Sequence, residues 1–272
     1  MNYIKLINEC YKTISDTIIK TPLQYSKRLS DKYGHNIYLK REDLQKTRSF
    51  KLRGALHKIK KMFKIDKPIN IVCASAGNHA QGVAYTCNLL GIKGDIFVPI
   101  KTPLQKIDRI NFYGKDNINI HLYGDNVNKS LDKAIEFSDN NKGTLIHPYD
   151  DIDVINGQAT IGYEIYESIA PDLIVCPIGG GGLISGISSY SKAINPKCKI
   201  IGVEPENANS MMKAFENNSP VQLDNIDSFV DGASVSLVGK TPFKICKNTI
   251  DKIYMVENTK LCYNLVDFYP ED

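Results

Sequence analysis

Lys51 is the residue of this chain best suited to covalent chemistry. It stands in Ser49-Phe50-Lys51-Leu52-Arg53-Gly54, directly after a large aromatic. Leu52, Ala55, Leu56, Ile59, Met62 and Phe63 recur at helical spacing, which predicts a helix from about Lys51 with one apolar face. Ser49 is the expected N-cap. An amine on the first turn meets the positive end of the helix dipole and apolar neighbours, and both disfavour its charged form. A lysine that loses its proton easily can form a Schiff base with a carbonyl compound. Taken alone, these six residues fit a plain surface lysine on a basic helix equally well.

Two other stretches carry groups that could hold a ligand near such an amine. Gly179-Gly180-Gly181-Gly182 follows an apolar run and precedes a helical stretch. Four glycines let the backbone turn tightly, and their amides can converge on a phosphate at a helix N-terminus. A strand, a glycine loop and a helix can also hold a dinucleotide, with Glu204 as its acid after the run 199–203. That nicotinamide reading leaves Lys51 unexplained. The second stretch is Cys73-Ala74-Ser75-Ala76-Gly77-Asn78-His79-Ala80-Gln81-Gly82. Its exposed amides and the Ser75 hydroxyl could take a carboxylate, or Ser75 or Asn78 could simply cap a helix. His79 has no second ligand-like residue beside it, so no metal is expected there.

Lys51, the Ser75–His79 turn and the Gly179–Gly182 loop, in this order, resemble the fold-type II pyridoxal-phosphate enzymes. Within that group the chain resembles the threonine ammonia-lyases (threonine dehydratases), from about Thr21 to its last residue. The Thr21-Pro22-Leu23 triplet recurs near the start of these enzymes. The resemblance implies a tryptophan synthase β-like fold of two parallel-sheet α/β domains, the small one inserted in the large one. The expected division is 1–60 and 148–272 for the large domain, with 61–147 between. It implies pyridoxal 5'-phosphate as cofactor, with Lys51 catalytic and Phe50 packed on the ring. Asn78 would meet the phenolic oxygen, and Gly179, Gly180, Gly181, Gly182 and Leu183 the phosphate. Ser75, Ala76, Gly77, Asn78 and His79 would bind the substrate carboxylate.

The implied reaction converts L-threonine to 2-oxobutanoate and ammonia, or L-serine to pyruvate, with Lys51 taking the Cα proton. Isoleucine biosynthesis and a homo-oligomer follow from the same resemblance. Cysteine synthases usually read Ser-Val-Lys-Asp-Arg at the lysine, and threonine synthases an acid after it, where this chain has Leu52. Serine racemases need a serine as second base at the position of Ala76, so elimination is expected over racemisation. They also carry a cation site ending in an aspartate, where this chain has Ser210; no metal is expected. The family's catalytic domain normally runs on past Tyr269-Pro270-Glu271-Asp272. The expectation is a fragment of a longer lyase, C-terminally incomplete, or a degenerate paralogue.

The rest of the chain must supply a scaffold for these loops. At 272 residues it can form one large domain or two modest ones, and 42% hydrophobic with 24% charged residues is ordinary for a globular protein. A net charge of +4, spread along the chain, points to no nucleic acid and no anionic membrane. Lys58-Ile59-Lys60-Lys61 reads as a solvated helix face. Seven scattered cysteines suit a reducing cytoplasm, with Cys73, Cys87 and Cys176 as core residues. No signal peptide or membrane span is visible. A helix is expected over 1–20 and a strand over 36–40. Strands at 69–74, 95–99, 118–123, 144–147, 172–178 and 199–203 alternate with helices at 78–90, 103–113, 128–140, 153–168, 183–194 and 208–217. That alternation predicts parallel sheet covered by helices. Lys40, Arg41, Glu42 and Asp43 should form ion pairs at a strand end.

Overall fold

The alternating apolar runs become two separate parallel sheets. The computed structural model describes residues 2–65 and 70–268. The first sheet is built from β3 (Ile71–Ala74), β4 (Gly94–Val98), β5 (Ile118–Leu122) and β6 (Thr144–Leu145), in the order β5-β4-β3-β6. Every residue of β3 and β4 is buried, as expected of central parallel strands. On one face lie α3 (Lys51–Ile65), α4 (Asn78–Leu90) and α5 (Leu104–Gly114), joined through Ala55, Ile59, Val83, Cys87 and Ile110. On the other, Ala134 and Phe137 of α6 (Val127–Asn140) meet Val72 and Phe97. The expected strand start at residue 69 lies outside the described residues.

The second sheet has the order β7-β8-β9, from β7 (Leu173–Pro177), β8 (Lys199–Pro205) and β9 (Lys252–Val256). Its inner face packs on α8 (Gly182–Ile194), α9 (Ser210–Glu216) and α10 (Lys240–Thr249) through Ile184, Met211, Phe243 and Cys246. An antiparallel pair, β1 (Leu23–Tyr25) with β2 (Tyr38–Lys40), flanks α2 (Lys27–Tyr33). The last element described is α11 (Asn258–Phe268).

α3 and α7 (Ile152–Tyr166) cross where glycine meets glycine. A β-carbon on Gly157 would stand 2.6 Å from the Gly54 Cα, so the two backbones touch with no side chain between them. This contact fixes the helix that begins at Lys51.

Two expectations need correction. The first helix, α1 (Tyr3–Ile14), ends well before residue 20. Ile14 and Ile18 are both buried in the cluster with Leu52 and Leu56, so the apolar spacing persists beyond the helix. The basic run in α3 is no solvated face. Lys58 pairs with Asp151 and Asp153 on the α7 side, Lys61 with Asp153, and Lys60 with Asp16 after α1. Cys73, Cys87 and Cys176 are buried and unpaired. Among the described residues no helix is long and apolar enough to cross a membrane.

Candidate active site

The chain reaches Lys51 through a sharp bend, with Arg48 at φ 56°. Ser49 Oγ accepts the Lys51 amide at 3.3 Å from one residue before the N-cap position, which Phe50 occupies. Two residues on, Arg53 is fully buried, with its guanidinium on Glu42 and Glu164 at 2.7 Å each. Burial alone would lower the Arg53 pKa, but the two carboxylates outweigh it and raise it. Lys40 adds a 2.5 Å bond to Glu164. This network ties the first turn of α3 to α7 and to the β1–β2 pair, and it contains two of the four charged residues expected to pair at a strand end.

The Lys51 stem is half-buried, and its Nζ donates to the Pro148 carbonyl at 2.8 Å. The rings of Phe50 and Tyr149 lie 5.5 and 6.0 Å from that nitrogen. With no carboxylate compensating it, burial lowers the Lys51 pKa from 10.5 to about 8. A substantial share of this amine is therefore neutral near pH 8.

Lys51 and Phe50 share a cavity with Gly179, Gly180, Gly181, Gly182 and Leu183. Gly181 sits at φ 90°, and a β-carbon on Gly180 would overlap the Tyr149 ring. Gly180, Gly181, Gly182 and Ile184 are buried. Among the described residues no group accepts the amides of Gly179 through Ile184. Buried amide donors without protein partners at a helix N-terminus have the chemistry of an anion site.

The Ser75–His79 turn does not line this cavity; its Gly77 lies near Asp231, the neighbour of the lining residue Gly232. The Gly77 amide donates to Ser75 Oγ at 3.2 Å, while Asn78, His79 and Ala80 keep free amides at the start of α4. Neither Ser75 nor Asn78 caps α4, and Asn78 is exposed. His79 is buried and donates from Nε2 to the Ile146 carbonyl at 2.8 Å. Burial, then the nearby Lys51 charge, pushes its pKa down to about 3, so it is a neutral imidazole. Its Nδ1 has no partner among the described residues.

Several lining residues escaped the sequence reading: Tyr149, Gly232, Ala233 and Val235. Tyr149 lies just after β6, and its hydroxyl donates to Leu237 at 3.0 Å. Loops at the carboxyl ends of parallel strands are the usual ligand-binding edge, and that rule could have singled out 147–151. Nothing in the sequence marks 232–235. Glu204 is already engaged, accepting the Met211 and Met212 amides in the first turn of α9 at 2.8 Å each. It cannot also serve as the acid of a dinucleotide site.

The family described as Pyridoxal-phosphate dependent enzyme matches residues 14–268. The chain belongs to this family. It is 45% identical over 263 residues to "L-threonine dehydratase biosynthetic IlvA" of Halalkalibacterium halodurans, covering 96% of this chain and 63% of that protein. The processed form of threonine deaminase isoform 2 from Solanum lycopersicum superposes with a TM-score of 0.92 at 38% identity, covering 99% of this chain and 74% of that one. Maize serine racemase superposes with a TM-score of 0.91 at 27% identity, covering 98% and 80%. This chain thus spans less than two thirds of the length of the curated relatives it matches.

The cavity fits the family's cofactor. Free buried amides at Gly180–Gly182 suit its phosphate, the Phe50 and Tyr149 rings suit its aromatic ring, and a readily deprotonated amine suits its carbonyl.

Proposed function

We propose that this chain carries the catalytic site of an L-threonine ammonia-lyase, converting L-threonine to 2-oxobutanoate and ammonia and L-serine to pyruvate. The observation that carries the reading is Lys51: an amine with its pKa lowered to about 8, enclosed by two rings, in a cavity whose other wall is a loop of free amides. The similarity to threonine dehydratases supports the substrate.

Bound pyridoxal phosphate supplies an electron sink that makes the Cα–H bond of the amino acid acidic. The protein's own residues do the rest. Gly179–Gly182 and Leu183 would hold the phosphate, Phe50 would pack against the ring, and Asn78 would meet the phenolic oxygen. The amides of the Ser75–His79 turn orient the substrate carboxylate, and with it the Cα–H bond. Lys51 Nζ, largely neutral above pH 8, takes the Cα proton. The departing β-hydroxyl takes up one proton as the Cα proton is removed, so the amino acid loses one water in all, and the enamine product then takes up water to give the keto acid and ammonia. Ala76 has no proton acceptor to offer on the opposite side of Cα, which favours elimination over the racemisation named for the maize relative.

The same reading includes a homo-oligomer in a reducing cytoplasm, a role in isoleucine synthesis, and a small domain at 61–147 inserted in the large one. Six of the seven cysteines are buried as free thiols, which suits that compartment. The first boundary falls inside α3, so that helix would bridge the two domains.

Borohydride reduction of the cofactor-loaded chain should leave a pyridoxyl group on Lys51 in the peptide map, and Lys51→Ala should make no 2-oxobutanoate. A label on another lysine would overturn the assignment. With L-serine, chiral chromatography should show pyruvate and little D-serine. D-Serine formed as fast as pyruvate would favour the racemase.

A further inference from the structure

One charged pair at the rim of the cavity has no part in the chemistry above. Asp231 accepts two bonds from Lys106 Nζ on α5, at 2.9 Å to each carboxylate oxygen. Its next neighbours, Gly232 and Ala233, line the cavity with Lys51. A β-carbon on Gly179 would come within 3.2 Å of the Ala233 Cα, so the segment lies directly on the phosphate-type loop. At its other end, Asp231 Oδ2 stands 4.0 Å from the β-carbon position of Gly77. A carboxylate belonging to the protein thus rests between Lys106 and the turn assigned to the substrate carboxylate.

We propose that Asp231 is a specificity-determining residue that occupies, in advance, the place where the side-chain carboxylate of a dicarboxylic amino acid would bind. The inference rests on the amino-acid lyase reading of the site. Lys106 is the cation such a carboxylate would need, and Asp231 holds it already. An incoming L-aspartate must displace Asp231 or leave its second carboxylate beside a like charge. L-Threonine and L-serine carry no such group and meet no such conflict. The pair also spans from α5 on the first sheet to the segment beside the second sheet's glycine loop. Both side chains are partly exposed, at 35% for Lys106 and 68% for Asp231, which leaves the fold little dependent on either.

The test is calorimetric titration of the cofactor-loaded chain with L-aspartate, beside an assay of 2-oxobutanoate from L-threonine. Asp231→Ala frees Lys106 and should tighten L-aspartate binding at least tenfold. Adding Lys106→Met to Asp231→Ala should abolish that gain. The gain should shrink in high salt, because the new pair is exposed. L-Threonine turnover with no change in L-aspartate affinity would overturn the role of Asp231 and leave the lyase reading standing. A gain that survives Lys106→Met would overturn it as well. Neither L-threonine turnover nor L-aspartate binding in any form would overturn both.

Discussion

Burial removes the Lys51 ammonium from water without giving it a carboxylate, and two measurements should register that. Amine-reactive labelling of the cofactor-free chain, mapped by peptide, should modify Lys51 with a midpoint near pH 8, well below the ordinary lysine value of 10.5. A midpoint near 10.5 would mean the amine is solvated. The same shift enters stability. Between pH 8 and 10.5 the unfolded chain holds a proton on Lys51 that the folded chain has released, so stability from this group is complete above pH 10.5 and is lost as pH falls through 8. Lys51→Met should therefore be more stable than wild type to urea at about pH 7, with the advantage shrinking toward pH 10.5. The glycine loop is tested separately. A branched side chain at Gly181 would need φ near 90° and would strike Met211 and Pro242 at 2.8 Å. Gly181→Val should weaken pyridoxal phosphate binding at least tenfold, about 1.4 kcal/mol. Unchanged affinity in equilibrium dialysis would remove this loop from the phosphate site.

At the scale of elements, the crossing of α3 and α7 matters most, because α3 aims Lys51. Gly157→Ala places a methyl group 2.6 Å from the Gly54 Cα, with no flexible side chain to yield. The helices must separate, at a cost of about 1–3 kcal/mol as for other overpacked cores. The Lys51 labelling midpoint should then rise as water reaches the amine. A stable variant with an unshifted midpoint would show that the crossing does not position Lys51. This contact was invisible in the sequence, since neither glycine stands at a turn. Other features were legible for plain reasons. β3, β4, β7 and β8 are apolar runs bounded by turn residues, and α4 runs over the predicted 78–90. β1 is three residues long, too short to show alternation, and only Ile253 of β9 is buried. α10 carries Pro242 in its first turn, where proline is tolerated although it interrupts a helical pattern elsewhere. α2 has a single buried residue and so no apolar stripe to read. Of the candidate site, Lys51 stood out by its amine after Phe50 at a helix start, and Gly179–Gly182 by a backbone that demands glycine at Gly181. Tyr149 could have been reached only through the strand-end rule, and Ala233 and Val235 arrive through tertiary folding alone.

Across the whole molecule, the cavity is assembled from parts that belong to both sheets. Lys51 begins the helix packed on the first sheet, while Gly179–Gly182 and Leu183 join β7 to α8 on the second. The walls meet through Tyr149, which follows β6 and whose hydroxyl reaches Leu237. A ligand held by both walls adds its binding free energy to the joint between the sheets, about 2.7 kcal/mol at a hundredfold excess over its dissociation constant. Pyridoxal phosphate should therefore slow amide hydrogen exchange in β3 and β4 as well as in β7 and β8, by similar factors. Lys51→Ala should keep the slowing near Gly179–Ile184 and lose most of it on β3 and β4, since the amine is the first sheet's hold on the ligand. Protection confined to the glycine loop in the wild-type chain would mean that the sheets open independently, with the cofactor carried by the second sheet alone.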